Sequence, residues 1–516
     1  MEQKKDRSVL IISAVIVAAF VIFGAVAPEA LNNVANVLFA VFTGDFGWLY
    51  LLTVFVMVIY AVAIGLSKYG KIKLGHDDDK PEFSNFSWFA QLFGGGMGIG
   101  LVFWSVAEPM CDFMAPPSAA PETTEAIHEA MQTVFFHWGI SPWVIFAVAG
   151  LALGYFAFRK DRPFLVSSAF EPLIGIDRVQ GPIGKAIDIL AVFATIFGVA
   201  TSLGLGTIQI TGGLNYVYGI EDTVLLQCII IAAITALFTL ATMSGLGKAM
   251  QVVADVKVYL SIAFMVFIFV FGGAVYICNL FVTDMGGYFQ NFIHKSLWME
   301  NTDFVQGWTV FYWAWWIAWA PFCGQFVARV SRGRTIREYL FAVMLLPAGF
   351  CTIWLAIYGG AAFNLDATIA NGAIQAAVSE ATTNGLFALL QQLPLYQVTA
   401  PLAIVLIVVC FWGSANSATF VLSMLTDGGN MDPSKPLRVG WGIAQGATTI
   451  ICIVVGGSGI LKILQTLSIA AAFPYMFVII FMMVSMAMAL KDDPAVQGDK
   501  EEEAPAVLTE AAPQAE

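Results

Sequence analysis

Charge is what this sequence has least of. Only 12% of its 516 residues are charged, against 59% hydrophobic. The basic residues form no face or stripe, which excludes nucleic acid as a partner. The formal charge of −12 carries little information, because many of the acids fall in loops and at the termini. Histidine is scarce too: there are four, far apart. The seven cysteines, Cys111, Cys228, Cys278, Cys323, Cys351, Cys410 and Cys452, stand singly in or beside apolar runs. No CxxC or Cys/His pairing marks a metal centre, and the odd number argues against a disulfide framework. A membrane enzyme would need clustered His, Cys or acids, so the chain is not read as an enzyme. No cofactor is expected. Gly96, Gly98 and Gly100 give a G-x-G-x-G pattern, but inside an apolar span instead of a strand-to-helix turn, so the nucleotide reading fails.

What the chain has instead is apolar length. Its blocks of eighteen or more residues suffice to cross a hydrocarbon core of about 30 Å. Twelve spans are expected, at 9–27, 47–66, 86–110, 134–158, 187–212, 223–243, 255–282, 308–328, 339–362, 396–424, 440–458 and 466–490. The first follows Lys4, Lys5 and Arg7 like a signal peptide. Pro28 and Glu29 replace a small-residue cleavage site, so it reads as a retained span. Lys68, Lys71 and Lys73 follow span 2, and Arg159, Lys160 and Arg162 follow span 4. Lys248 follows span 6, an arginine cluster follows span 8, Lys435 and Arg438 follow span 10, and Lys491 follows span 12. Basic clusters after even-numbered spans require an even count with both termini cytoplasmic. The fold class is an all-α polytopic membrane protein. Residues 284–300 suit a short amphipathic helix on the outer surface, with His294 and Lys295 solvated. Residues 363–395 form a long outer segment apolar enough to pack on the protein. The acidic, Ala- and Pro-rich residues 492–516 are expected to be disordered.

The most unusual stretch runs from Gly307 to Glu338, GWTVFYWAWWIAWAPFCGQFVARVSRGRTIRE. Trp308, Trp313, Trp315, Trp316 and Trp319 are five of the fourteen tryptophans, and Arg329, Arg332, Arg334 and Arg337 follow. Interfacial belts place Trp at span ends, yet these continue into the apolar part. Indoles are the best cation–π faces, and cages of them hold quaternary ammonium groups. The alternative is a bulky helix packed against lipid. In span 3, Gly94, Gly95, Gly96, Gly98 and Gly100 surround Met97. Each glycine costs a helix about 1 kcal/mol relative to Ala. A broken helix lining a cavity is therefore favoured over mere small-residue packing. Span 4 adds Trp138 and Trp143 around Pro142. His137 is expected to be neutral, bonded to a neighbouring carbonyl. Glu108 closes span 3, as a functional acid or a structural partner to a backbone amide. Span 10 carries Ser414, Asn416, Ser417 and Thr419, small polar groups that suit either a hard cation or interhelical hydrogen bonds.

FYWAWWIAWAPF followed by ARVSRGRTIRE resembles the signature of the betaine/choline/carnitine transporter (BCCT) family. SKYGKIKLG (67–75), GMGIGLVFWSVAEP (96–109) and FATIFGVATSLGLG (193–206) agree, and the resemblance covers essentially the whole chain. It implies a sodium/amino-acid symporter-like fold of two inverted five-helix repeats. An N-terminal segment with two spans (1–85) would precede the first repeat, spans 3–7 (86–283). The outer amphipathic helix (284–307) would then lead to the second repeat, spans 8–12 (308–490), and a disordered acidic tail (491–516). It implies secondary uptake of a quaternary-ammonium zwitterion of the glycine betaine, choline or carnitine class by alternating access, in the inner membrane of a prokaryote, with homotrimer assembly. Carried over residue by residue, Trp138, Trp315, Trp316 and Trp319 would form the aromatic box. Met97, Gly96 and Gly98 would contact substrate through amides facing its carboxylate. Trp143 and Trp313 would lie on the permeation path. Sodium coupling is expected, with Gly94, Met97, Ser414 and Thr195 as candidate ligands. Gly413 and Val199 replace two of the family's hydroxyls, however. Sodium-independent exchangers place an arginine near 243–248, where this chain has only Lys248.

Proton coupling, substrate/product antiport and a carrier for a small amino acid such as glycine or sarcosine stand as alternatives, as does a ligand-binding sensor, which lacks the expected signalling domain. Osmotically activated family members carry a long basic C-terminal helix, whereas the tail here is short and acidic. Uptake is therefore expected to respond weakly to osmotic upshift. A several-fold rise in transport by reconstituted protein on raising external osmolality would contradict this.

Overall fold

The computed structural model describes residues 6–96, 98–244 and 247–496. Met97 and residues 497–516 of the expected tail lie outside them, as does the side chain of Lys248. Helices account for almost all the secondary structure of the described residues, with one isolated β-bridge between Lys73 and Thr335. The chain opens with α1 (Ser8–Val26), α2 (Pro28–Phe39) and α3 (Gly47–Leu66). Then come α4 (Asn85–Gly96), α5 (Ile99–Met114), α6 (Thr124–Trp138), α7 (Ile140–Gly154), α8 (Pro182–Tyr218), α9 (Val224–Ser244) and α10 (Gly247–Phe271). The second half holds α11 (Ala274–Ser296), α12 (Val310–Val330), α13 (Ile336–Leu365), α14 (Ala373–Glu380) and α15 (Gly385–Gln391). It closes with α16 (Tyr396–Thr426), α17 (Lys435–Gly456) and α18 (Ile460–Lys491).

Among the described residues nine helices are long and apolar enough to cross a membrane, ten with one bent pair. Three expected spans depart from a plain apolar helix, each for a physical reason. Span 3 is split between α4 and α5, with Gly98 extended at φ −97°, ψ 171°. Span 8, α12, owes its bulk to indole and phenol rings, which hydropathy counts as weakly apolar. The span expected at 255–282 does not continue to 282. It turns by 103° between Phe271 and Ala274, where Gly273 takes φ +100° and Asn364 donates to the freed Gly272 carbonyl at 2.9 Å. A Gly pair permits what any Cβ would resist. The outer amphipathic helix accordingly starts at Ala274, ten residues before its expected beginning. The 363–395 segment folds into α14 and α15, with Leu386 to Leu390 buried against the helices.

Helix α12 is the axis of the bundle. Nearly every residue from Val310 to Val330 is buried, because α7, α8 and α18 pack around it. A helix apolar all round belongs in such a centre. The basic clusters that follow even-numbered spans meet on one face. Leu74 and Gly333 exchange backbone bonds with Arg334 and Leu74 across the two loops. Arg337 Nε caps α3 at the Gly65 carbonyl, 2.7 Å away, where a cation suits the helix C-terminus. Arg329 pairs with Glu82.

On the same face Arg159 binds both carboxylate oxygens of Asp493 at 2.6 Å. Its Nη1 reaches the Gly75 carbonyl and Asp77, and Tyr155 donates to Asp493 at 2.7 Å. Asp493 is fully buried, and 494–496 form a further helical turn. The expected disorder therefore does not begin at 491: Arg159, 334 residues away in sequence, orders the first residues of the tail. Burial pushes the Asp493 carboxyl up, but the Arg159 and Tyr155 bonds outweigh it and hold it below the usual carboxylate range. A depressed carboxyl stabilises the fold above its unfolded-state value, and that contribution is lost as pH falls through the folded-state value. Asp493→Asn should cost about 3 kcal/mol, the scale for removing one partner of a buried pair. The readout is a lowered thermal midpoint in detergent at neutral pH, with the difference from wild type shrinking only in strong acid. An unchanged midpoint would refute the latch.

Candidate substrate site

Four tryptophans from two helices meet at the centre of the bundle. Trp315 and Trp316 of α12 stack, centroids 4.7 Å apart at 12°. Trp138, at the end of α6, stands edge-on to both, at 6.2 Å and 5.0 Å. Trp319 lies one turn along α12 from Trp315, at 6.4 Å and 80°. The expected box is assembled.

What shapes it is the disposal of the indole N–H groups. Trp319 donates to the Gly198 carbonyl at 2.8 Å, Trp316 to the His137 carbonyl at 3.1 Å and Trp315 to Ser202 Oγ at 3.3 Å. Trp138 donates to Glu108 Oε2 at 2.7 Å. Every polar edge is spent on α5, α6 or α8. The ring faces are left as the only recognition surface, electron-rich and without a donor. Close backbone approach permits this. A Cβ on Gly198 would sit 2.9 Å from Trp319 Cδ1, and one on Gly100 would overlap the Trp315 ring.

The enclosed space is small, about 30 Å³, room for a water or two. Gly98, Gly100, Leu101, Trp143, Phe146 and Cys323 line it with the four box indoles. On one side it is closed by a ladder along α12 and the turn before it. Phe304, Trp308, Tyr312 and Trp316 stack in sequence, at 6.5, 6.3 and 5.9 Å. On the basic side a cavity of about 600 Å³ begins at Phe322, one turn beyond Trp319, and opens past Gln325, Thr419 and Phe420 to Arg329, Lys435 and Arg438.

Behind the box lies a buried carboxylate. Glu108 accepts from Trp138 and, by a short bond, from Tyr312, and its Oε1 faces His137 Nδ1 at 2.7 Å. His137 Nε2 meets Thr309 Oγ1 at 3.0 Å. All five side chains are buried. His137 was expected to bond a carbonyl; both its ring nitrogens instead meet side chains. Glu108 is neither a span-end acid in water nor a backbone partner. It fixes the edge of Trp138.

The remaining expected residues divide. Trp143 lines the cavity. Trp313 does not: it turns away onto Phe136, 5.0 Å distant. Gly98 lines the cavity, α4 ends at Gly96, two residues past Gly94, and Met97 is outside the described residues. Thr195 is buried with its hydroxyl donated to the Ala191 carbonyl at 2.8 Å, and Ser414 is half-buried on α16. Sequence reasoning missed Glu108, Tyr312, Ser202, Phe146 and Gly100 as parts of the site.

This aromatic cage decides which comparisons matter. A family model described as betaine/carnitine/choline family transporter matches residues 8–495. The chain belongs to the BCCT family. It is 64% identical to a probable glycine betaine transporter of Desulfitobacterium hafniense (strain Y51), over 95% of this chain and 98% of that one. It is 44% identical to the glycine betaine transporter OpuD of Bacillus subtilis (strain 168), over 95% of each. The ectoine/hydroxyectoine transporter of Virgibacillus pantothenticus is 40% identical, over 96% of this chain and 99% of that one. The chain is thus a multi-pass BCCT transporter and not an enzyme.

Glu108→Gln keeps an acceptor at Trp138 but removes the charge behind the ring. A hydrogen bond to a charged group is worth about 1.5–3 kcal/mol. Betaine affinity should fall about tenfold, followed by tryptophan fluorescence quenching, with the protein still monodisperse. Wild-type affinity would show that the carboxylate does not support the box.

Proposed function

We propose that this BCCT protein takes up glycine betaine or a close quaternary-ammonium zwitterion by alternating access, driven by sodium. The observation that carries the substrate class is that all four box indoles spend their N–H groups elsewhere and offer only ring faces. A trimethylammonium group has no N–H to donate, so such faces suit it. Each desolvated indole contributes up to about 2 kcal/mol. The substrate carboxylate would face the start of α5 at Gly98 and Ile99, where the first amides of a helix have no partner within it and the end favours an anion. Two of the relatives, a probable glycine betaine transporter and the glycine betaine transporter OpuD, favour the same cargo.

Alternating access is supported by the asymmetry of the two sides: a ring ladder closes one, a wide cavity opens the other. If the basic face is cytoplasmic, as Lys and Arg placement implies, both termini are inside and this conformation faces inward. In this reading the two five-helix repeats are inverted copies, one beginning with the broken α4–α5 pair and the other with α12, and three copies assemble in the membrane. Sodium would bind near the α4–α5 break with Gly94, Met97, Ser414 and Thr195.

One observation favours a different drive. Lys257, half-buried in α10, lies close enough to Cys410 of α16 for its charge to act on the thiol. Cys410 is one turn before Ser414. An ammonium fixed there would replace a transported ion and make the protein a sodium-independent exchanger.

Labelled betaine uptake into proteoliposomes, under separately imposed sodium, proton and preloaded-substrate gradients, separates these. Sodium-driven accumulation is expected; uptake only with preloaded substrate would assign the role to Lys257. In the same assay Trp316→Leu should lower betaine affinity about tenfold or more, as the loss of one cage wall requires. Unchanged affinity would end the box assignment.

A further inference from the structure

One buried group has no place in the box or in its hydrogen bonds. Asp112 sits one helical turn beyond Glu108 on α5 and is fully buried. Neither of its carboxylate oxygens has a hydrogen-bond partner among the described residues. Glu108, by contrast, is held by three partners. Two ionised carboxylates one turn apart on a buried face repel each other, and a buried charge without partners is strongly disfavoured. Glu108 is surrounded by hydrogen-bond partners; Asp112 has none among the described residues.

Two of the groups that act on Asp112 also line a cleft on the face opposite the basic one. This cleft of about 330 Å³ between α6 and α11 is lined by Glu125, His128, Glu129 and Lys295. Lys295 reaches inward to donate to Thr133 Oγ1 at 2.8 Å. The charges acting on Asp112 are Glu108 of its own helix, Lys295 of α11 and Glu129 of α6. No charge acts on it from α8 or from α13 to α16, which also pack on α5. Lys295 and Glu129 thus both line the cleft and act on the orphaned carboxyl.

We propose that Asp112 is a proton-binding site filled from the outer cleft, and that its occupancy favours the conformation in which the outer side is closed. The step is a protonation only. A proton passes from water in the cleft to one Asp112 oxygen as α5, α6 and α11 close and water leaves. It returns to the same side when they part and rehydrate the carboxylate. Acid outside therefore holds the ring ladder shut behind Glu108 and Trp138, and weakens capture of substrate from outside. The proton is taken up and returned on one side, so it modulates the cycle without driving it. For its cargo this rests on the betaine reading, and the test includes a readout that does not.

Two measurements decide it. In substrate-free protein taken from alkaline to acid pH, tryptophan fluorescence should step, and Asp112→Asn should lack the step. In proteoliposomes with inner pH, sodium gradient and voltage clamped, outer acidification over that range should raise the apparent KM for betaine about fivefold or more, by lowering the competent fraction. Asp112→Asn should show a flat profile at the acid-side value. Lys295→Met, which removes the cation favouring the carboxylate, should move the midpoint to higher pH while Asp112 remains. If the asparagine variant does not fold, the direction of the Lys295→Met shift still decides. A wild-type profile in Asp112→Asn, a midpoint unmoved or lowered in Lys295→Met, or dependence on inner instead of outer pH would overturn the site. Loss of betaine uptake with the fluorescence step retained would overturn the cargo reading and leave the proton site standing.

Discussion

The four box indoles each find an acceptor for a buried N–H, and those four bonds organise the site. Leaving one unpaired in a dry interior costs a few kcal/mol. Trp138, Trp315, Trp316 and Trp319 each find theirs on a different group: Glu108, Ser202, the His137 carbonyl and the Gly198 carbonyl. Those acceptors lie on α5, α6 and α8, so satisfying the four rings fixes where three helices stand around α12. The same bonds turn the polar edges outward and the π faces inward. Scaffold and recognition surface come from one set of constraints.

The contracted state has an energetic meaning. A space of about 30 Å³ is too small for a trimethylammonium zwitterion, while the cavity beyond Trp319 is about twenty times larger. In the proposed cycle substrate binding must therefore open the box, and the interaction with the rings is partly consumed in doing so. A carrier benefits from that. A cage preformed around its cargo would bind tightly on both sides and release slowly. The stack from Phe304 to Trp316 closes one side with planar contacts that can slide, whereas the opposite side is braced at its rim by the Arg329–Glu82 pair.

Much of this was legible because it follows from local chemistry. The glycine run at 94–100 marks the break between α4 and α5, five tryptophans in thirteen residues mark the start of α12, and the loops after spans 2, 4 and 8 share a face. The misses are long-range or depend on backbone geometry. Glu108 looks like any acid near a span end until Trp138 and Tyr312 arrive, 30 and 204 residues later in sequence. Asp493 looks like the start of an acidic tail until Arg159 is placed beside it. The bend at Gly272 and Gly273 had a sequence signal in the glycine pair, but an unbroken apolar run concealed it. Trp313 was carried over with its neighbours from the shared motif, while its place on the helix packs it onto Phe136 and away from the box.

The break in span 3 is what lets one site read both ends of a zwitterion. In the proposed reading the rings of α6 and α12 hold the cation. The amides freed at Gly98 and Ile99, at the start of a sixteen-residue helix, meet the carboxylate with the partial positive charge of a helix N-terminus. Neither half suffices for strong binding, because rings without a carboxylate partner would accept any cation and amides alone any anion. The two halves sit on different helices, so a small separation of α5 from α12 lengthens both contacts together. Gly100, which must lack a side chain for Trp315 to approach, is where that ring meets α5. Affinity and conformation are coupled there, through one glycine-to-indole contact.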